Sequence, residues 1–274
     1  MLLARVASSA VLAPLVVWLS VWAPRPLFAT VVGLAAAWCA LEYCRLLEKA
    51  GLRPAWPIAA AGAAALAIAP GAGSHLGALA FALVALGPGV YFLAEGGPLE
   101  RTAHDWAQTT LGAAFIGWPL AQAVQLRSDG AAVALFGQPL ERGALLVVAA
   151  LTCTWASDTA AYAFGRVAGR RPFFVRISPK KTLEGAAAGL VAPALVAIAW
   201  SGPLGWPPPF ALVLGLAAGL AAICGDLLES MLKRAVGAKD SGALIPGHGG
   251  LLDRVDSLLL VLVAIALLTG QAWP

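Results

Sequence analysis

Nine apolar runs, parted by short breaks of Pro, Gly and charge, leave this chain of 274 residues few choices of fold. Their approximate cores are 6–23, 27–44, 55–70, 75–94, 106–126, 143–164, 183–200, 210–228 and 257–272. A helix of about 20 apolar residues crosses a bilayer, and most of these runs approach that length. With 60% hydrophobic and 12% charged residues, a single soluble globule has no way to hide so much apolar surface. The runs are continuous rather than alternating, which favours helices, whose backbone hydrogen bonds close within the segment, over a barrel. The expectation is an all-α, multi-pass membrane protein with about nine transmembrane helices, organised as one membrane domain over 1–274. Within it, 1–142 is a series of spans with short connections, and 143–274 holds the dense polar motifs. Arg5 before Val6–Ala23 imitates a signal peptide, but the run is long for one and lacks a clear cleavage site, so a retained first span is expected.

The cations orient the spans. Ten of the eighteen Lys and Arg lie between Arg166 and Lys181 or between Lys233 and Arg254. The first cluster contains no acid at all. Excess Lys and Arg mark cytoplasmic loops, so both clusters are expected inside, with the N-terminus inside, the connection Arg127–Arg142 outside, and the C-terminus outside for nine spans. Such clusters face anions, whether nucleotide, lipid headgroup or membrane surface, and nucleic acid is not an expected partner. Cys39, Cys44, Cys153 and Cys224 form no Cys-x-x-Cys pair and have no His beside them, so neither disulfides nor zinc are expected.

Carboxylates within apolar runs need partners, because an unpaired one costs several kcal/mol in low dielectric. Asp226 ends the eighth run, and on a continuing helix it shares a face with Ser230 and Lys233. Asp253 and Asp256 share a face at the start of the ninth helix. Together these acids offer hard oxygen ligands of the kind Mg²⁺ takes. Read on the residues alone, Asp226 paired with Lys233 or Arg234, and Asp253 with Arg254, is an equal alternative. Between the two helices, Lys239–Leu251 contains Gly242, Pro246, Gly247, Gly249 and Gly250, which exclude a regular helix and suit backbone contact with phosphate. His248 in that loop either serves a phosphate or hydrogen-bonds structurally. Upstream, Asp158 is another carboxylate in an apolar run, with Tyr162 and Gly165 on its face. Ser178-Pro179 reads as the N-cap and first residue of the seventh helix, aiming its positive end, with Lys180 and Lys181, at an anion. Glu184 lies four residues after Lys180, as a plain ion pair or as a site residue. Gly215 and Gly219 form a small-xxx-small pair that lets helices approach.

Two stretches carry a resemblance. From Asp226 the order is GDLLES, Ser-x-Leu-Lys-Arg, Lys239-Asp240, Pro-x-His248-Gly-Gly and Asp253-Arg254-x-Asp256, a signature over 226–257. It closely resembles that of the phosphatidate cytidylyltransferases, the CDP-diacylglycerol synthases. Trp155-Ala-Ser-Asp-Thr-Ala-Ala-Tyr162 and Ser178-Pro-Lys-Lys-Thr-Leu-Glu184 are also similar to that family. The match is specific from about Trp155 to Ser257; in 1–142 it rests on the apolar runs alone.

The resemblance implies CTP and phosphatidate as substrates, CDP-diacylglycerol and pyrophosphate as products, and a place in membrane phospholipid biosynthesis. It implies Mg²⁺, leaves open a second, monovalent cation, and implies a homodimer with its active site on the cytoplasmic side. Asp226, Asp253 and Asp256 are the expected metal ligands, and Lys239, Asp240, His248 and Arg254 the remaining catalytic candidates. Asp158, Ser178, Lys180, Lys181, Glu184, Ser230, Lys233 and Arg234 are expected to hold substrate. A lipid phosphate oxygen would attack the α-phosphorus of CTP, a step that needs cations but no covalent intermediate. Two rivals stand beside this reading. One is a CTP-dependent lipid kinase of the polyprenol or phytol kind, which moves the γ-phosphoryl group. The other is an ion transporter, which would spread its charges through the membrane rather than gather them at one side.

Overall fold

The computed structural model describes residues 2–72, 74–244 and 249–273. Among these, each of the nine apolar runs becomes one helix: α1 (Leu2–Trp22), α2 (Arg25–Glu48), α3 (Trp56–Ile68), α4 (Ser74–Glu95), α5 (Leu99–Arg127), α6 (Arg142–Ala168), α7 (Leu183–Leu204), α8 (Pro208–Ala235) and α9 (Leu252–Leu268). Five of them, α2, α4, α6, α7 and α8, are long and apolar enough to cross a membrane unaided. By contrast, α3 and α9 have 13 and 17 residues. Large apolar side chains such as Leu34, Leu86, Leu93, Leu195 and Leu220 point outward, an arrangement that lipid accepts and water does not. The chain is a multi-pass membrane protein.

Local chemistry explains where the helices start and stop. Pro lies in the first two positions of α2, α3 and α8, where its missing N–H has no partner to lose. At the end of α7, Gly205 adopts φ 66°, and the Gly205 and Trp206 amides return to the Gly202 and Ser201 carbonyls. Helix α8 runs past its apolar core to Ala235. Asp226, Ser230 and Lys233 therefore do share one continuous helical face.

One apolar core draws on α2, α3 and α5 together with α6, α7, α8 and α9. Small residues bring the last helices close. A Cβ on Gly219 would come 2.6 Å from the Leu190 carbonyl of α7, and Gly215 abuts Ala194, so this small-xxx-small pair is used within the chain. Farther along α8, Gly225 meets the α9 backbone, where a Cβ would stand 3.0 Å from Ser257 Cα. That approach sets Asp226 beside the start of α9.

The connection Arg127–Arg142, predicted only as an external connection, contains a hairpin of β1 (Ala132–Leu135) and β2 (Gln138–Glu141), antiparallel with Leu135 opposite Gln138. Its two turn residues, Phe136 and Gly137, have φ of 50° and 76°. Positive φ at both positions gives the twist that a two-residue hairpin needs. Glu141 pins the hairpin by accepting from Arg25 at 3.0 Å and from the buried Arg127, which also donates to the Ala23 carbonyl at 3.3 Å.

The Arg127 hydrogen bond, aided by Arg25, holds the Glu141 carboxyl below its ordinary value. A carboxylate with a depressed folded pKa contributes stability above its unfolded pKa and loses it as the pH falls through the folded one. Glu141→Gln is thus expected to lower the detergent melting temperature at pH 7. The gap from wild type should close as the pH drops below about 4.3, the ordinary glutamate value. A gap independent of pH would show that the carboxylate charge is not what pins the hairpin.

Candidate active site

The C-terminal part of α6, the start of α7, the last third of α8 and the start of α9 meet at one end of the bundle. There they enclose an open cavity of about 820 Å³. Asp158 and Tyr162 enter it from α6, Lys180 and Lys181 from the α6–α7 loop, Asp226 and Lys233 from α8, Asp240 from the α8–α9 loop, and Asp253, Arg254 and Asp256 from α9. Nine of the sequence-predicted site residues thus share one chamber: Asp158, Lys180, Lys181, Asp226, Lys233, Asp240, Asp253, Arg254 and Asp256.

The carboxylates differ in their partners. Asp226 Oδ2 stands 2.6 Å from Lys181 Nζ, and Ser230 Oγ donates to its Oδ1 at 3.3 Å. The Lys181 ammonium is shielded and lies off a hydrogen-bonding line to Asp226, so it retains donors for another acceptor. Ser257 serves two acids, its hydroxyl donating to Asp158 at 3.2 Å and its amide to Asp256 at 2.7 Å. Asp158, Asp226 and Asp256 lie within electrostatic reach of one another. Asp253 is more fully engaged: Lys233 Nζ donates to its Oδ1 at 2.6 Å, while the Ser241 and Gly250 amides donate to Oδ2 at 2.9 and 2.8 Å. Lys233 also forms an ion pair with the buried Glu229.

Several expectations are corrected by this geometry. Asp226 pairs with Lys181 rather than with Lys233 or Arg234, and Asp253 with Lys233 rather than with Arg254. Helix α7 opens not at Ser178-Pro179 but at Thr182, whose Oγ1 accepts from the Gly185 amide at 3.2 Å. The segment before it is held in place because Pro172 bridges Thr182, and the Phe173 and Leu183 amides bind the Lys181 and Arg171 carbonyls. Lys180 and Lys181 therefore sit on this folded loop. Glu184 is not paired with Lys180; its Oε2 accepts from the Arg170 and Arg171 amides at 3.0 and 3.2 Å. Arg234 is spent on the Ile177 and Ala238 carbonyls. Ser178, Glu184, Ser230, Arg234 and Lys239 do not line the cavity. His248 lies outside the described residues.

Two carboxylates at this end were missed by sequence reasoning. Glu229 stands inside the GDLLES motif, four residues before Lys233, and that spacing was its signal. Glu42 is a lone acid in the second apolar run, and the reasoning that singled out Asp158 would have found it.

Among the described residues, no three His, Cys, Asp or Glu side chains are gathered into a ready metal cage. The donor set nevertheless suits Mg²⁺, which takes one or two carboxylates, keeps waters and relies on substrate phosphates. Three carboxylates within reach of one another around a cavity are eased either by protonation of one of them or by a cation.

Membrane helices enclosing a chamber of carboxylates and cations suit a membrane enzyme acting on charged substrates. Residues 3–270 match the model of the cytidylyltransferase family, and the chain belongs to that family. It is 34% identical to the phosphatidate cytidylyltransferase of Synechocystis sp. over 234 residues, 79% of this chain and 79% of that protein. Over 127 residues it is 46% identical to the Helicobacter pylori phosphatidate cytidylyltransferase, covering 46% of this chain and 47% of that one. An uncharacterized Escherichia coli protein, YnbB, is 46% identical over 122 residues, 44% of this chain and 41% of its own length. The match thus spans less than half of some curated relatives and about four fifths of the first.

Cap placement is directly testable. Thr182→Ala should cost about 1 kcal/mol, the usual worth of an N-cap, and lower the melting temperature. Ser178→Ala should leave it close to wild type. The reverse ranking would restore Ser178 as the cap.

Proposed function

We propose that this chain transfers the cytidylyl group of CTP to phosphatidate, giving CDP-diacylglycerol and pyrophosphate in membrane phospholipid biosynthesis. The observation that carries the reading is the single chamber in which Asp158, Asp226 and Asp256 face Lys180, Lys181 and Arg254 at one end of an apolar helix bundle. Family membership and the names of the relatives support the same reaction. The substrates are two polyanions, one of them anchored in lipid. A chamber opening at the end of membrane helices allows a lipid phosphate to approach without leaving the bilayer.

In this reading Lys180, Lys181 and Arg254 bind phosphate oxygens and offset their charge. Lys181 is suited to this because its ammonium has unused donors. Asp226 and Asp256 are the proposed principal Mg²⁺ ligands, with Asp158 beside them and Asp253 joining only by giving up Lys233. Mg²⁺ there would neutralise the phosphates and the departing pyrophosphate. The Lys and Arg clusters support a cytoplasmic chamber, and a homodimer is part of the proposal.

Labelled CTP distinguishes this from kinase chemistry. With purified chain, phosphatidate and Mg²⁺, α-phosphorus label should enter the lipid and γ-label should leave as pyrophosphate. γ-Label in the lipid would make the protein a kinase.

Asp226→Asn and Asp256→Asn should each reduce turnover by more than the 10- to 100-fold, roughly, that outer-shell changes cost, with little change in melting temperature. The two losses should not add, because both acids serve one centre. Asp253→Asn should lower turnover and melting temperature together, since it also releases Lys233 and two loop amides. Near-wild-type turnover in Asp226→Asn and Asp256→Asn would sink the metal assignment.

A further inference from the structure

Glu42 belongs to α2, in the half of the chain without dense polar motifs, and is 3% exposed. Its carboxylate nevertheless reaches the start of α9. Oε2 accepts from the Leu252 amide at 2.8 Å and from Ser241 Oγ at 3.3 Å. Oε1 accepts from the Leu251 amide at 3.1 Å and from Trp38 Nε1 at 3.0 Å. Leu251 is the N-cap position of α9 and has no side-chain cap of its own. A carboxylate at a helix N-terminus satisfies orphan amides and faces the positive end of the helix dipole. Here it is supplied from 210 positions away.

The next residue is Asp253. Its Oδ2 holds the Ser241 and Gly250 amides, so Glu42 and Asp253 together clamp the same two pieces of loop. Gly242 and Gly250 make room for the clamp: a Cβ on either would come 2.5 Å from a Glu42 carboxylate oxygen.

We propose that Glu42 is a positioning residue, which fixes the start of α9 and so the bearing of Asp253 and Asp256 in the chamber without touching substrate. Its charge is what the role needs. An amide at this place would turn an NH₂ group toward N–H donors, where the carboxylate presents two acceptors. The assignment rests on the cytidylyl-transfer reading for its kinetic consequence, and on the hydrogen bonds alone for its structural one.

The test uses the full chain purified in detergent, carrying Glu42→Gln, Glu42→Asp or the control Glu48→Gln, an exposed position on the same helix. Turnover is measured at saturating CTP and phosphatidate over a range of Mg²⁺ concentrations. In parallel, amide hydrogen exchange is followed by mass spectrometry. Glu42→Gln should lose about 10- to 100-fold in turnover and require more Mg²⁺ for half-maximal activity, as outer-shell changes do. Glu42→Asp, which keeps the charge, should recover part of the loss, and Glu48→Gln should match wild type. Peptides covering 249–256 should exchange faster in Glu42→Gln, while those of α7 stay unchanged. Should Glu42→Gln fail to fold, Glu42→Asp carries the same comparison with a smaller effect. An unaltered Mg²⁺ requirement, with activity falling only as folded protein is lost, would reduce Glu42 to a structural residue and overturn the proposal. If wild type itself makes no CDP-diacylglycerol, the cytidylyl-transfer reading has failed separately. Exchange at 249–256 then decides the clamp, and unchanged exchange there sinks it.

Discussion

A carboxylate in a low-dielectric helix bundle is costly unless a cation or several donors face it, and that cost organises the polar end of this protein. The partners come from other elements. Asp226 on α8 meets Lys181 from the loop before α7, Asp253 on α9 meets Lys233 on α8, and Asp158 on α6 meets Ser257 on α9. Each pair therefore specifies which helices stand together, on top of the apolar packing that brings them near. The backbone contact at Gly225 allows this, because α8 and α9 must almost touch for Lys233 to span to Asp253.

What could be read from the sequence, and what could not, divides along physical lines. The helices were legible because continuous apolar runs in a bilayer have one dominant solution for their backbone. The chamber was legible because its carboxylates interrupt those runs. The hairpin at 132–141 was not, since its strands are four residues each and the turn signal is a single Phe-Gly. Ser178-Pro179 carries every local mark of a helix start, yet the bridge between Pro172 and Thr182 delays α7. Tertiary pairing overrode local propensity there. Glu42 was legible as a lone acid in an apolar run, but its partners were not, because they lie some 200 positions on and no local pattern points across that distance.

The chamber distributes its charge unevenly. Asp226 has Lys181 opposite it, while the contacts of Asp158 and Asp256 are a hydroxyl and an amide from one residue, Ser257. Donors of that kind soften a carboxylate charge without cancelling it. The five carboxylates lining the chamber, Asp158, Asp226, Asp240, Asp253 and Asp256, are matched in number by Arg166, Lys180, Lys181, Lys233 and Arg254, so the placing of charge rather than its sum decides where an anion settles. In the proposed reaction the cations of the chamber are where phosphate oxygens would be met, and Asp158 and Asp256, which have no cation in direct contact, are where a metal arriving with the substrate would be held.

Lys233 shows how structure and chemistry are joined at this end. One ammonium faces two acids, Asp253 at the loop and the buried Glu229. Asp253 in turn fixes the Ser241 and Gly250 amides, and Glu42 accepts from the Ser241 hydroxyl beside them. Removing the Lys233 charge would strand two carboxylates, a far larger penalty than loss of an exposed pair, and would free the start of α9. The chain from Glu42 through the loop to Asp253, Lys233 and Glu229 links α2, α8 and α9. Helix α2 is therefore part of the device that holds the site, and a chain truncated to its motif-bearing half would lack the carboxylate that caps α9.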